Sequence, residues 1–356
     1  MSKTQHKLVI IQTATPDYRT ELYREIQKKL KDRFELYGGS FYFEDSIKSD
    51  INFTKNEVTN YFLFNRKLLF QTRIWHLLFK NSTLVLEMNP RIISNWIFLI
   101  IRKILNKETI LWGHAWSKSG KNSKSEKVRN LMKHLGSKII VYSNEQKDEL
   151  KVRMPKKEIL VAPNALISSL KMKTIIPQKH LNLIYVGRLT KQKKPFFLVK
   201  TFGDNLDNYP TNTKLIIVGE GEEKQRIKDY IISKNLQNRI ELKGHIGDYE
   251  ILKNLYDSSF FSISPSLAGL SIIQSFSFGV PILVSEKEKH GPEIDAIRLK
   301  KNALYFESNN LNDFNSVLIN AFNDKEFWIN QRKPIVKFCK NSYSIEAMAN
   351  TFIKLI

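Results

Sequence analysis

Short apolar runs rich in β-branched residues recur along this chain, and most are followed by a stretch with helical spacing. "KLVIIQ" (Lys7–Gln12) is a buried-type strand, and "TELYREIQKKLKDRF" after it places Leu22, Ile26 and Leu30 on one face of a helix. "FELYGG", "TLVLEMN" (83–89), "ETILWGH" (108–114), "SKIIVYSN" and "EILVAPN" continue as strands, with the helical pattern "NWIFLIIRKILNK" among them. Strands alternating in this way with helices demand βαβ units and a parallel sheet. The pattern lapses over 166–180 and then restarts with "LNLIYVG", "TKLIIVGEG", "RIELKGHI", "SFFSISPS" and "PILVSE", separated by helices such as "KPFFLVKTFGDN" and "GLSIIQSFSFG". The sequence therefore predicts an α/β protein with two Rossmann-like domains, 1–170 and 181–335, and a terminal helical segment, 336–356. Its 356 residues, 42% of them hydrophobic, suffice for two such cores.

In parallel α/β sheets, ligands bind beyond the carboxyl ends of the strands. Three such ends in the second half carry suggestive residues. Gly187 is followed by Arg188 and Lys193, a small residue and two cations suited to a diphosphate. Gly219 and Gly221 flank Glu220. After "SFFSISPS", the residues Gly269, Leu270 and Ser271 open a helix, whose free N–H groups and positive end favour a phosphate. Ser271 can cap that helix or donate to an oxygen. Each glycine taken alone is more often only a turn.

Charge and cysteine content narrow the partners. There are 57 Lys and Arg against 35 Asp and Glu, a formal charge of +22. That surplus fits nucleic acid, an anionic membrane surface or an anionic small substrate, or reflects a composition rich in Lys, Asn and Ile. The single cysteine, Cys339, excludes an internal disulfide and a cysteine-based zinc cluster. It fits a reducing cytoplasm. The first apolar run is too short for a signal peptide, and the longest, 96–101, falls far short of the ~20 residues of a spanning helix. The expected location is the cytoplasm, peripheral to the inner face of the membrane.

Four stretches, "VGRLTKQKK", "LIIVGEGEEKQRI", "ELKGHIGDYEILKNLYDSSFFSISPS" and "GLSIIQSFSFGVPILVSE", resemble the nucleotide-sugar-binding half of the retaining glycosyltransferases of family 4. The resemblance is strong over 181–300 and extends weakly through "TPDYRTELYREI", "LEMNPR", "LWGHAW" and "VAPNAL". It implies a GT-B fold, with two Rossmann-like domains facing across a cleft and a last helix crossing back to the first domain. It also implies a nucleotide-sugar substrate, with no cofactor and no required metal. By that resemblance Arg188 and Lys193 hold the donor diphosphate as catalytic cations, Gly187 and Gly219 border the donor, and Gly269, Leu270 and Ser271 give backbone contacts to the distal phosphate. The family usually carries two glutamates eight positions apart, one at the sugar and one at the ribose. Here those places are Ser266 and Gln274. Gln274 can still bond ribose hydroxyls, whereas Ser266 reaches a sugar only through water or close approach. Glu293, in a Pro-Glu pair that relatives use as a donor-facing acid, either replaces the missing carboxylate or simply starts a helix. His290 is a lesser candidate in the same loop.

In the first half, the resemblance implies that His114 faces the reacting sugar. Its ordinary pKa near 6.5 makes proton exchange feasible. Tyr18 and Arg19 border the acceptor, with Arg19 either meeting an anion or solvated in a first turn. Glu87 and Asn89 are candidate acceptor ligands, and Glu87 is not assigned as a base. Residues 58–107 hold eight cations (Arg66, Lys67, Arg73, Lys80, Arg91, Arg102, Lys103 and Lys107) and one acid, Glu87, with Trp75 and Trp96 among them. These read as basic aromatic helices, either lying on an anionic bilayer or packed in the core with solvated basic faces. The implied function is transfer of a sugar to a lipid-linked glycan of a bacterial surface polysaccharide, without nucleic acid. A nucleotide-sugar epimerase and a non-catalytic glycan or nucleic-acid binder are the alternatives.

Overall fold

A computed structural model of the chain describes residues 6–43, 49, 56–117, 119–177 and 181–356. The end of the expected linker, 178–180, lies outside them. The chain divides into two compact units, Met1–Leu166 with Ile345–Ile356, and Ile167–Ser344.

The first unit runs β1 (Lys7–Gln12), α1 (Thr20–Leu30), β2 (Phe34–Gly38), β3 (Asn56–Glu57), β4 (Thr59–Leu63), β5 (Leu68–Thr72), β6 (Ser82–Glu87), α2 (Ile93–Ile104), β7 (Thr109–Trp112), α3 (Lys124–Leu135), β8 (Lys138–Val141), α4 (Asn144–Arg153) and β9 (Glu158–Val161). Seven strands form a sheet in the order β3-β2-β1-β6-β7-β8-β9. Every pair in that sheet is parallel, with Ile10 opposite both Leu36 and Val85. The apolar runs are continuous because both faces of the sheet are covered. Along β1, Val9 and Ile11 join a core with Phe98, Leu99 and Met132 of α2 and α3. Leu8 and Ile10 join the opposite core, with Tyr23 and Ile26 of α1 and with Met348 and Phe352 from the end of the chain.

The expectation of basic helices over 58–107 is corrected here. β4 and β5 form an antiparallel hairpin, and α2 is the one α-helix in that interval. Alternation across the pleat decides it: Gln71 and Leu69 are buried while Tyr61 and Leu63 are exposed. Within α2, the expected surface cation Arg102 is fully buried. Its guanidinium donates to the carbonyls of Leu77 (2.8 Å), Lys80 (3.1 Å), Ser82 (2.6 Å) and Glu108 (2.9 Å) and to Thr109 Oγ1 (3.0 Å). Burial pushes its pKa down to about 10. These bonds gather loop carbonyls at the start of β6 and β7 that would otherwise lack partners.

The second unit runs β10 (Asn182–Val186), α5 (Pro195–Asp204), β11 (Leu215–Val218), α6 (Lys224–Ser233), β12 (Ile240–Gly244), α7 (Tyr249–Asp257), β13 (Ser259–Ser264), α8 (Leu270–Ser277), β14 (Ile282–Ser285), β15 (Ala303–Phe306), α9 (Leu311–Asn323) and α10 (Lys325–Tyr343). Its parallel sheet has the order β12-β11-β10-β13-β14-β15. α10 packs against α8 within this unit. After Ser344 the last helix, α11 (Ile345–Ile353), packs against α1 of the first unit. The crossing therefore falls at Ser344, later than the expected residue 336.

Candidate functional site

Both sheets reverse strand order at one place, between β1 and β6 in the first unit and between β10 and β13 in the second. Chain leaving neighbouring strands there diverges to opposite faces and opens a crevice at the carboxyl edge.

In the second unit the crevice is built by interlocked loops. Gly219 has φ +151°, and a Cβ on it would lie 1.9 Å from the Gly187 carbonyl oxygen. Gly221, at φ +155°, would meet the Leu189 carbonyl oxygen at 2.4 Å. Only glycine tolerates both the dihedral and the approach. That closeness lets Leu189 N–H donate to Glu220 O and Glu223 N–H to Leu189 O, each at 2.9 Å. Tyr185 Oη donates to the Arg188 carbonyl at 2.8 Å, fixing the residue that carries the exposed guanidinium. The Arg188 side chain makes no hydrogen bond or ion pair among the described residues.

Lys193 is half-buried, and its Nζ donates to Leu267 O at 2.7 Å. Burial lowers its pKa, and the neighbouring Arg188 cation adds to the effect, while Glu293 opposes it. Two cations crowded together and incompletely neutralised form a site that gains from an anion.

α8 begins at Gly269, which offers no side-chain cap. The expected capping by Ser271 does not occur, because Ser271 is the second helical residue. Its half-exposed hydroxyl and the half-buried Gln274 amide have no protein partner among the described residues. Leu270, the first helical residue, brings its backbone N–H to the same edge. The expectation that Ser266 faces a sugar is also corrected: its side chain is buried, and Oγ donates to Gln192 O at 2.8 Å. With Lys193 bonded to Leu267, this bond staples the loop after β10 to the loop after β13. Glu293 lies on the short helical turn Pro292–Ala296, buried, with Pro292 near its start. A Cβ on Gly291 would come within 2.4 Å of its Oε2, and one on Gly269 within 3.6 Å. The carboxylate is thus nested between two glycines beside the start of α8.

His290 Nδ1 accepts from the Ala268 N–H at 3.0 Å. Burial lowers its pKa, with Lys193 contributing. A depressed pKa in the folded state means that this contribution to stability is complete above the unfolded value of about 6.5 and is lost as pH falls through the folded value. We expect the melting temperature to drop on acidification from about pH 7 to about pH 5, and His290→Asn to show a shallower drop. Equal slopes in the two proteins would refute this role.

In the first unit the five sequence candidates Tyr18, Arg19, Glu87, Asn89 and His114 line one cavity of about 440 Å³. Glu87, at the end of β6, accepts from Thr13 N–H and from Thr13 Oγ1 (3.1 Å) at the strand-order reversal. Burial raises its pKa, against the Thr13 bonds and the Arg19 charge. Arg19 stacks over the Trp112 ring, 4.3 Å to its centroid, and donates to Tyr142 Oη at 2.9 Å. It is therefore held by aromatic groups and not a freely solvated first-turn residue. The exposed His114 ring lies 4.8 Å from that of Tyr142, centroid to centroid.

Sequence reasoning missed Tyr142, Trp112 and Arg129. Trp112 ends β7 and Tyr142 directly follows β8, places legible from the strand pattern. Arg129 sits within α3 and was not: it donates to the carbonyls of Met88 (2.7 Å) and His114, tying the ends of β6 and β7 together. Among the described residues, no three His, Cys, Asp or Glu side chains converge as a metal site.

Two doubly wound parallel units, each with polar and charged residues at its switch point, define a protein of the GT-B class. Residues 168–341 match the family described as glycosyl transferases group 1. It is 38% identical over 112 residues to an uncharacterized glycosyltransferase of Methanocaldococcus jannaschii, covering 31% of this chain and 26% of that one. It is 26% identical over 146 residues to the alpha-monoglucosyldiacylglycerol synthase of Acholeplasma laidlawii, covering 40% and 35%. The chain thus spans about a quarter to a third of the length of these relatives. Among solved structures, HepE of Anabaena in complex with UDP superimposes with a TM-score of 0.71 over 99% of both chains at 13% identity.

Proposed function

We propose that the protein transfers a sugar from a nucleotide-sugar to a lipid-linked glycan acceptor, with retention of configuration, in the assembly of a bacterial surface polysaccharide at the inner face of the cytoplasmic membrane. The observation carrying this reading is the pair Arg188 and Lys193, incompletely neutralised, in the same switch-point crevice as the uncapped start of α8. As the anomeric carbon leaves the donor, negative charge grows on the diphosphate oxygen that held it. Fixed cations and backbone amides stabilise that charge more in the transition state than in the ground state. The anomeric carbon bonds to the acceptor oxygen, and the hydroxyl proton passes to the departing phosphate or to solvent. Gln274 is placed on α8 with a free amide for the ribose. Glu87 and Arg19 order the acceptor, and His114 bonds the sugar. No side chain is assigned as a nucleophile.

In this reading no nucleic acid takes part, and protein groups, not a metal, balance the diphosphate. A thermal-shift screen of nucleotide-sugars tests it, since a ligand stabilises the state it binds. We expect one donor to raise the melting temperature and turnover to persist in EDTA. A screen in which no nucleotide-sugar shifts the melting curve would remove the reading, and complete loss of turnover in EDTA restored by magnesium would remove its metal-free part.

A further inference from the structure

No helix among the described residues is long and apolar enough to cross a membrane. The adjacent helices α2 and α3 nonetheless turn apolar side chains outward. Ile100 is 47% and Ile104 75% exposed on α2, and Val128 is 49% and Leu131 59% exposed on α3. Ile97 and Ile101, half-buried, continue this face on α2. The inward side of α2 carries the opposite anomaly, the fully buried Arg102, whose carbonyl bonds fix the rotation of the helix. α2 thus buries Phe98 and Leu99 together with a cation and still keeps isoleucines in water, so it is apolar on its outward side as well.

Lys103 on α2 and Lys124 and Lys127 on α3 are exposed around this face, and Lys107 follows α2, half-buried. α2 contains no acid, and the only one on α3, Glu126, is buried against Lys133. We infer that the α2–α3 face docks in the plane of an anionic bilayer, with the isoleucines, Val128 and Leu131 entering the headgroup and acyl boundary and the lysines meeting lipid phosphates. At 12 residues, α2 is about 18 Å long, suited to lying in the interface and too short to span it. Charge decides between a bilayer and a second copy of the chain. Two such faces would oppose lysines to lysines, whereas anionic lipid supplies both the apolar layer and the countercharge. The inference deepens the membrane placement proposed above and rests on it, but its test needs no donor and no turnover.

Cosedimentation with phosphatidylcholine vesicles, with and without phosphatidylglycerol, reads the interaction directly. Wild-type protein binds the phosphatidylglycerol vesicles, and binding weakens as salt is raised. Ile100→Asp with Ile104→Asp lowers that binding at least about tenfold while the melting temperature holds. Val128→Asp with Leu131→Asp on α3 does the same and guards against a local fault in α2. The inference is overturned if wild type ignores the phosphatidylglycerol vesicles, if both double variants bind as wild type does, or if the substitutions instead dissolve a lipid-free dimer.

Discussion

Lys193→Ala is expected to lower turnover by roughly a hundredfold or more, the scale of removing one preorganised group that meets developing charge. Two roles of the side chain converge on this result. Its ammonium is held in a half-buried place beside Arg188, where burial and that cation already depress its pKa. It also bonds Leu267 O and so fixes the loop leading into α8. The roles separate kinetically. Loss of charge stabilisation at the transition state lowers kcat, whereas a displaced loop weakens donor binding and raises KM. Lys193→Arg keeps the charge with a different geometry and should recover part of kcat. Arg188→Ala should lose a similar factor, and the double variant less than the product, because in the proposed reading the two cations serve one diphosphate. Steady-state kinetics with the donor found by thermal shift measure all four proteins. Wild-type turnover in Lys193→Ala would remove that lysine from the site.

Gly219→Ala should destabilise the second unit by about 3 kcal/mol or more, since it combines a strained dihedral with a backbone clash. The added Cβ would lie 1.9 Å from the Gly187 oxygen at φ +151°, and a carbonyl cannot rotate away as a side chain can. Relief would require separating the loops after β10 and β11 and breaking the bonds between Leu189, Glu220 and Glu223. Donor binding should fall with stability, because Arg188 rides on the first of those loops. Gly120→Ala is the matched control: its φ is +95°, and nothing lies within 4 Å of the new Cβ. It should cost about 1 kcal/mol, the dihedral alone. Denaturant unfolding of the two variants compares them, and equal losses would mean that the loop contact carries no energy.

The alternation of apolar runs with helical spacing placed six of the seven strands of the first parallel sheet and five of the six of the second, because strands buried on both faces cannot hide their composition; the two-residue β3 and the edge strand β15 were missed. α4 left no such trace: among its residues only Leu150 is buried. The hairpin of β4 and β5 was masked by cations that read as one face of a helix. At the site, Tyr18, Arg19, Glu87, Asn89 and His114, singled out by strand ends and by the resemblance, line one cavity. What failed was the direction of short side chains. Nothing in the spacing of Ser266 tells that its hydroxyl would be consumed by Gln192 O, since that bond joins loops 74 positions apart. The inward turn of Arg102 was illegible for the same reason, its partners being carbonyls supplied by other elements.

The helix α11 gives the two units unequal histories on the ribosome. The second unit is a continuous stretch, Ile167–Ser344, and can close as soon as it has emerged. The first unit is made earlier, yet Met348, Ala349 and Phe352 complete the core around Tyr23 and Ile26. It must wait for residues 345–356 with part of its greasy surface uncovered. A fragment cut after Leu166 would keep that exposed flank permanently, so separate expression of the first unit calls for residues 345–356 to be grafted back.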